Sequence, residues 1–441
     1  MYLRFFERVF VMVLLLSSMG IVDSLTRRTV GTQDLATIST EIPLVTALTE
    51  SAVYVVGASL VLLYWRRVFN AAYTVWPLIG LAALGPMSLL WSISPLLTLR
   101  RGVSLLVSTL IGVYLGERFS VEQFARMLAQ AFCMMITAVS VLYVVAPARL
   151  VDEFSSVGAL KGLSLTKNAF GGYMAIAVVL LMLVKFRRFR WMRPVFLIAA
   201  FAFLVSSRSA TSLVVCGVMI AAMPLWRMVQ LQEQRRYLVY TTLLTGALLS
   251  AYFVWNNSEQ VLGVVGRDST LSGRTQLWSS VTSAIGRHPF LGYGYGAFWA
   301  GMKGEALDVW VANKWLSTAA DNGYLDLCLG LGLLGLSVFI CVLVIAFRRA
   351  GEHLRSNKTS MGLWPITYFM FFALHNVCES HLLTTRSLDF LIFAAVSTSL
   401  AQYKIRNLST SDSRPWMPAL INYHPQSLPG LSGRPPLERF R

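Results

Sequence analysis

Basic side chains occupy unusual places in this chain. Arg100 and Arg101 open an apolar run, Lys167 precedes another, Arg208 lies between two short ones, and Arg386 heads the last. Arg267, Arg274 and Arg287 fall in the one long polar stretch between runs. A guanidinium offers a planar fork of donors that suits phosphate oxygens. Ionisable groups at membrane depth are functional candidates by default. As a set, these residues would hold a lipid-linked diphosphate at headgroup level. The competing reading is that each snorkels or pairs with a nearby acid, as Arg267 could with Asp268. A second pattern follows in Leu291-Gly292-Tyr293-Gly294-Tyr295-Gly296-Ala297-Phe298-Trp299. Aromatic faces pack on sugar rings while glycines permit close approach, which makes Tyr293, Tyr295 and Trp299 candidate saccharide contacts. A glycine-rich turn with ordinary aromatic packing explains the same residues. Asp321, just before an apolar run, has the chemistry of a helix N-cap. The cysteines (Cys133, Cys216, Cys328, Cys341, Cys378) and histidines (His288, His353, His375, His381, His424) follow no ligand spacing. No metal site and no cofactor are expected from them.

What must position these residues is a membrane bundle. Of 441 residues, 56% are hydrophobic and only 13% are charged, with 38 Lys+Arg against 21 Asp+Glu. A soluble domain carries roughly 25% charge, so a cytosolic enzyme, a nucleic-acid-binding protein and a disordered chain are all excluded. The expected fold class is all-α: a polytopic bundle of twelve transmembrane helices, at about 20 apolar residues per span. The spans are read at 6–22, 47–65, 72–91, 99–115, 123–145, 169–185, 194–206, 210–227, 237–254, 322–347, 363–377 and 386–402. The pair 194–206 and 210–227 reads equally as short or broken helices around Ser206-Ser207-Arg208-Ser209.

Lys and Arg clusters set the orientation. Arg66-Arg67, the group from Lys185 to Arg193, Arg227 with Arg235-Arg236, Arg348-Arg349 with Arg355 and Lys358, and Lys404 with Arg406 all fall on one side. That side is the cytoplasm, and both termini are expected there. The chain then divides into helices 1–9 (residues 1–254), an extracytoplasmic loop (255–321), helices 10–12 (322–403) and a Pro-rich tail (404–441) expected to be disordered.

Asp321-Asn322, nine residues, Gly332, two residues and Gly335 resemble the His-Asn-x9-Gly-x-x-Gly signature of the O-antigen ligase/polymerase superfamily. Leu90-Trp91-Ser92-Ile93-Ser94-Pro95 through Thr98-Leu99-Arg100-Arg101-Gly102 resembles its exopolysaccharide-polymerase (ExoQ-like) branch, as does Leu165-Thr166-Lys167-Asn168-Ala169-Phe170-Gly171. Gly273-Arg274-Thr275, Gly292-Tyr293-Gly294 and Asn376 with Glu379-Ser380 fit too. The likeness covers roughly residues 85–400, and the motifs occur in the family's order.

The resemblance implies transfer of a glycan from undecaprenyl diphosphate to a sugar hydroxyl at the outer face of the bacterial inner membrane, with inversion and without a metal. It implies a donor diphosphate held by Arg208, Arg274 and Arg287, with Arg100 and Arg101 beside them. Asp321 stands where the family has His. A carboxylate can take a proton from the acceptor but cannot donate one to the diphosphate at neutral pH. Asp321 is then the expected base, Asn322 orients it, and Glu379 is the reserve. The implied partners are the lipid-linked donor and acceptor glycans, the bilayer, and chain-length regulator and flippase proteins, with no nucleic acid. Polymerisation of repeat units is favoured over ligation to lipid A-core. A transporter would instead show related halves and a midplane site, and a scaffold would leave Asp321 without a role.

Overall fold

The computed structural model describes residues 2–26, 44–151, 158–164, 166–186, 191–231, 274–300, 304–313, 316–385 and 387–412. These are helical throughout, apart from turns and one isolated antiparallel bridge between Val151 and Leu160. The first helices are α1 (Tyr2–Ser18), α2 (Ile21–Thr26), α3 (Leu44–Leu63), α4 (Trp65–Thr74) and α5 (Trp76–Met87). Next come α6 (Pro95–Arg118), α7 (Val121–Val145), α8 (Lys167–Leu183), α9 (Met192–Ser206) and α10 (Ala210–Leu231). The rest are α11 (Arg274–Arg287), α12 (Glu305–Asn313), α13 (Gly323–Ser356), α14 (Trp364–His375) and α15 (Leu388–Asp412). Residues 1–403 form one compact unit; residues 404–441 form a second, of which 404–412 are helical.

Each expected span falls on helix except 237–254, which lies outside the described residues along with most of the loop up to Gly273. Length is where expectation and structure part. Among the described residues, five helices (α3, α6, α7, α10 and α13) are long and apolar enough to cross a membrane, or six if α4 and α5 make one broken span. The expected span 72–91 straddles that break, where the chain turns by 103°. Val75 leaves helical geometry there (φ −122°, ψ 32°), and Pro77 sits at the start of the new helix. A proline has no N–H to continue the preceding helix's ladder, clashes with the carbonyl four residues back and suits a first turn, so the bend has a local cause. α14 has 12 residues, about 18 Å of helix, too short to span alone. The expected boundary at 404 falls inside α15, and the tail from 413 onward lies outside the described residues.

α8 is buried on nearly every face from Phe170 to Leu183. An all-round apolar helix belongs at the centre of a bundle, and α7, α9, α10 and α14 surround it. α15 packs on α6 through small residues. A Cβ on Gly116 would stand 2.3 Å from the Ala395 carbonyl and one on Gly112 2.6 Å from the Ala394 Cβ, so the backbones meet there. A second apolar cluster, outside this core, joins α11 and α12 through Leu277, Val281, Ala284, Val309 and Trp310. It gives the segment before α13 its own small interior.

Candidate active site

The site is seated by a main-chain exchange in α13. At Gly332 the helix breaks (φ 64°, ψ −164°). Leu333 N–H, which in a regular helix would donate to the Leu329 carbonyl, donates instead to Pro289 O at 2.8 Å. The freed Leu329 carbonyl accepts from Tyr293 N–H at 2.8 Å, and Leu334 N–H donates to Phe290 O at 3.2 Å. Segment 289–293 is thus threaded into the helix ladder. Only glycine permits it: a Cβ at Gly332 would lie 2.2 Å from Phe290 O, and one at Gly292 (φ 66°) 2.5 Å from Leu329 O. The other side of the segment docks on the turn before α6. Trp91 Nε1–H donates to Leu291 O at 2.8 Å, Ile93 N–H to Tyr293 O at 3.1 Å, and Tyr295 N–H to Ser88 Oγ at 2.9 Å. Three motifs far apart in sequence meet at this one point.

The free N-terminus of α13 lies one short helical segment from the break. Asn322 is its cap: Oδ1 accepts from Tyr324 N–H at 3.0 Å and Leu325 N–H at 3.1 Å. The capping chemistry read into Asp321 therefore belongs to its neighbour. Asp321 sits in the left-handed region (φ 49°), which turns its carboxylate off the helix axis. The loop after α14 wraps the same end. Gly323 N–H lies 2.9 Å from both Asn376 O and Glu379 O, and Asn322 N–H donates to Ser380 Oγ at 3.1 Å. Arg274, first residue of α11, closes the group. Its guanidinium stands 3.4 Å from the Asp321 carboxylate and 3.2 Å from that of Glu379.

Exposure grades the three. The side chains of Arg274 and Glu379 are 9% and 10% exposed, that of Asp321 33%. Burial pushes the Glu379 carboxyl up from the usual carboxylate range, against the pull of His381 and Arg274. Burial opposes the Arg274 charge, but Glu379 and Asp321 more than offset it and its pKa is raised. With both acids ionised the cluster carries one net negative charge. The reachable group is Asp321.

The other expected residues lie elsewhere. Arg287 ends α11, about 20 Å of helix from Arg274, and pairs with Glu305 at 3.0 Å. Arg101 donates to the Gly296 carbonyl and so holds the docked segment, whereas Arg100 is exposed beside it. Arg208 occupies the tight turn between α9 and α10 with φ 51°; it is exposed, and no acid stands against it among the described residues. That turn abuts α8 at Gly171, and Gly172 abuts His375. Tyr293 is 3% exposed, with its ring edge-on to His288 and Phe298 and its hydroxyl on Ala284 O at 2.7 Å. Tyr295 donates to the Leu383 carbonyl, and Trp299 Nε1–H to Asp326 at 2.8 Å. Their polar atoms are spent on the fold. Arg267 and Arg386 lie outside the described residues.

Residues 194–340 match the O-antigen ligase family. Over 338 residues the chain is 27% identical to "Exopolysaccharide production protein ExoQ" of Rhizobium meliloti (strain 1021), covering 73% of this chain and 76% of that one. Both similarities support the O-antigen ligase/ExoQ-like family for this chain. With the apolar helices described above, they support a membrane protein with polymerase- or ligase-type function in exopolysaccharide or O-antigen biosynthesis. The O-antigen ligase match takes in Arg208, Arg274, Arg287, Asp321, Asn322 and Gly332, and leaves out Glu379.

Asp326 is a residue of this site to which sequence reasoning assigned no role. Its carboxylate accepts from Ala320 N–H at 3.1 and 2.9 Å, from Trp299 Nε1–H, and from the Ser380 hydroxyl. It ties three segments to the first turn of α13. The available signal was an acid one turn after the Asn cap, where helices favour negative charge. Two of the scattered histidines also come together: the ligand atoms of His375, His381 and Asp389 all lie within 4.8 Å of one another.

Proposed function

We propose that this protein polymerises undecaprenyl-diphosphate-linked oligosaccharide repeat units into exopolysaccharide at the outer face of the inner membrane. Asp321 accepts the proton of the attacking sugar hydroxyl. The hydroxyl oxygen bonds to the anomeric carbon from the face opposite the leaving group. The anomeric carbon–oxygen bond breaks, and the diphosphate departs with the electron pair. The step balances without a metal and inverts the anomeric centre. The supporting observation is the Asp321–Arg274–Glu379 cluster, in which Asp321 is the more exposed acid and its partners are buried. Arg274 stands 3.4 Å from the Asp321 carboxylate and holds it in place beside the buried pair.

The departing diphosphate needs positive charge that is not already taken. Two acids share Arg274 and one pairs with Arg287. Of the donor set, Arg208 is exposed with no acid against it among the described residues, and we assign it the diphosphate, with Arg100 next in line.

The printed name of the Rhizobium meliloti relative speaks of exopolysaccharide production, which favours the polymerase reading. The family description speaks of ligation, so ligase is the second reading. Lipid-linked glycans from cells lacking the gene, sized after mild acid release, test both. A single repeat unit accumulating without long polymer supports polymerase; full-length chains stranded on the carrier overturn it in favour of ligase. Asp321→Ala tests the base: polymer at wild-type level would remove Asp321 from the chemistry. Asp321→His, which restores the family residue, is expected to retain activity.

A further inference from the structure

Near Glu379, whose carboxyl feels the charge of His381, three side chains come together that the transfer step does not use. His375 ends α14, His381 stands in the loop that follows, and Asp389 begins α15. His375 is 1% exposed and neither ring nitrogen has a hydrogen-bond partner among the described residues. Asp389 is 2% exposed, with Oδ1 likewise unpartnered and Oδ2 3.9 Å from His381 Nδ1. The two imidazoles lie nearly parallel, with centroids 5.5 Å apart and planes inclined by 15°. Phe371 stacks on the outer face of His375 at 4.8 Å, and Gly172 leaves just enough room behind it.

Two unsatisfied buried polar side chains side by side are costly, each losing its hydration without compensation. A cation between them would satisfy both. Two imidazole nitrogens and one carboxylate oxygen are a borderline donor set; calcium and magnesium prefer oxygen throughout, whereas zinc-class ions take this mixture. Around a tetrahedral ion with bonds of about 2.1 Å, ligand atoms stand about 3.4 Å apart. Separations within 4.8 Å close to that by shifts of about 1 Å per side chain. A fourth position is left for solvent or a small ligand.

We propose that His375, His381 and Asp389 bind one divalent transition-metal ion. The ion fastens the loop between α14 and α15, which carries Glu379 and the carbonyls that hold Gly323, to the head of α15. It positions the site and takes no part in the glycosyl transfer proposed above.

The test uses the full chain in detergent, with its affinity tag cleaved and metals stripped by a chelator. Co2+ is titrated as the probe, and visible d–d absorption reports coordination by protein nitrogen. One saturable equivalent is expected, displaced by Zn2+ and weakened at least ~10-fold in His381→Gln, whose partly exposed side chain spares the fold. Asp389→Asn should weaken it as well, and His424→Gln should leave it unchanged. No saturable equivalent in the folded wild type, or equal affinity in His381→Gln, overturns the proposal, and leaves His381 and Asp389 as an ion pair only. Because the readout is metal binding, failure here leaves the catalytic reading intact, and failure of Asp321→Ala to abolish polymer leaves the metal site intact.

Discussion

Removing Arg274 strips two acids of one partner, and the structure says how unequally. Glu379 lies 3.2 Å away in a pair whose side chains are 9% and 10% exposed; Asp321 lies 3.4 Å away and is 33% exposed. Deleting one member of a buried pair costs about 3–5 kcal/mol, because the other charge stays behind. Burial already pushes the Glu379 carboxyl toward its neutral form, so Arg274→Ala should fall at the lower end, about 3 kcal/mol. The half-open pair with Asp321 is screened by solvent and contributes about 0.5 kcal/mol. A double-mutant cycle on the purified protein, read by reversible unfolding in mixed detergent micelles, should give a coupling of about 2 kcal/mol for Arg274 with Glu379. It should give about a quarter of that for Arg274 with Asp321. Glu379→Gln in the Arg274→Ala background should recover most of the loss, since a neutral amide needs no counter-charge. Equal couplings, or a double variant no more stable than Arg274→Ala, would refute the reading of Glu379 as a buried anchor and Asp321 as the working group.

Gly332→Ala should destabilise by more than about 3 kcal/mol in the same assay, because a Cβ 2.2 Å from Phe290 O meets main chain and the positive φ adds strain. Tyr293→Phe should cost about 1 kcal/mol for the bond to Ala284 O and leave polymer yield unchanged; a large loss of polymer would restore the tyrosine to a saccharide-binding role. Arg287→Ala breaks a half-exposed pair with Glu305, costs under about 1 kcal/mol and leaves donor turnover within a few-fold of wild type. Arg208→Ala should lower donor turnover by 100-fold or more, on the order of the loss of one transition-state donor; similar turnover in Arg208→Ala and Arg287→Ala would remove Arg208 from the diphosphate.

Helix positions were legible because apolar runs announce themselves, and helix lengths were not. The run 72–91 reads as one span, since hydropathy averages across Val75 and Pro77, where the chain turns by 103°. The acids and arginines of the site were legible as types. Their partners were not, because residue 274 meets residues 321 and 379 only after α13 and the loop behind α14 have been placed. Arg274 and Arg287 look alike in sequence and stand at opposite ends of one helix. Alternating tyrosines and glycines suggested a sugar platform, yet the spacing that would present rings to a ligand also serves a segment threaded into a broken helix. His375 and His381 looked scattered because no ligand spacing links them to Asp389; the turn between α14 and α15 makes them neighbours.

The threading of segment 289–293 through α13 has a consequence for how such proteins can vary. It is made of amides and carbonyls, which every residue has, and the side chains of Phe290 and Leu291 take no part in it. They stand 73% and 42% exposed. Exchanging them alters what the protein shows to lipid or glycan and leaves the aim of Asp321 untouched. The exposed surface is thereby uncoupled from the geometry of the Asp321–Arg274–Glu379 cluster. A lineage can change one letter at a time on the exposed surface while two glycines, packed against main chain, stay fixed.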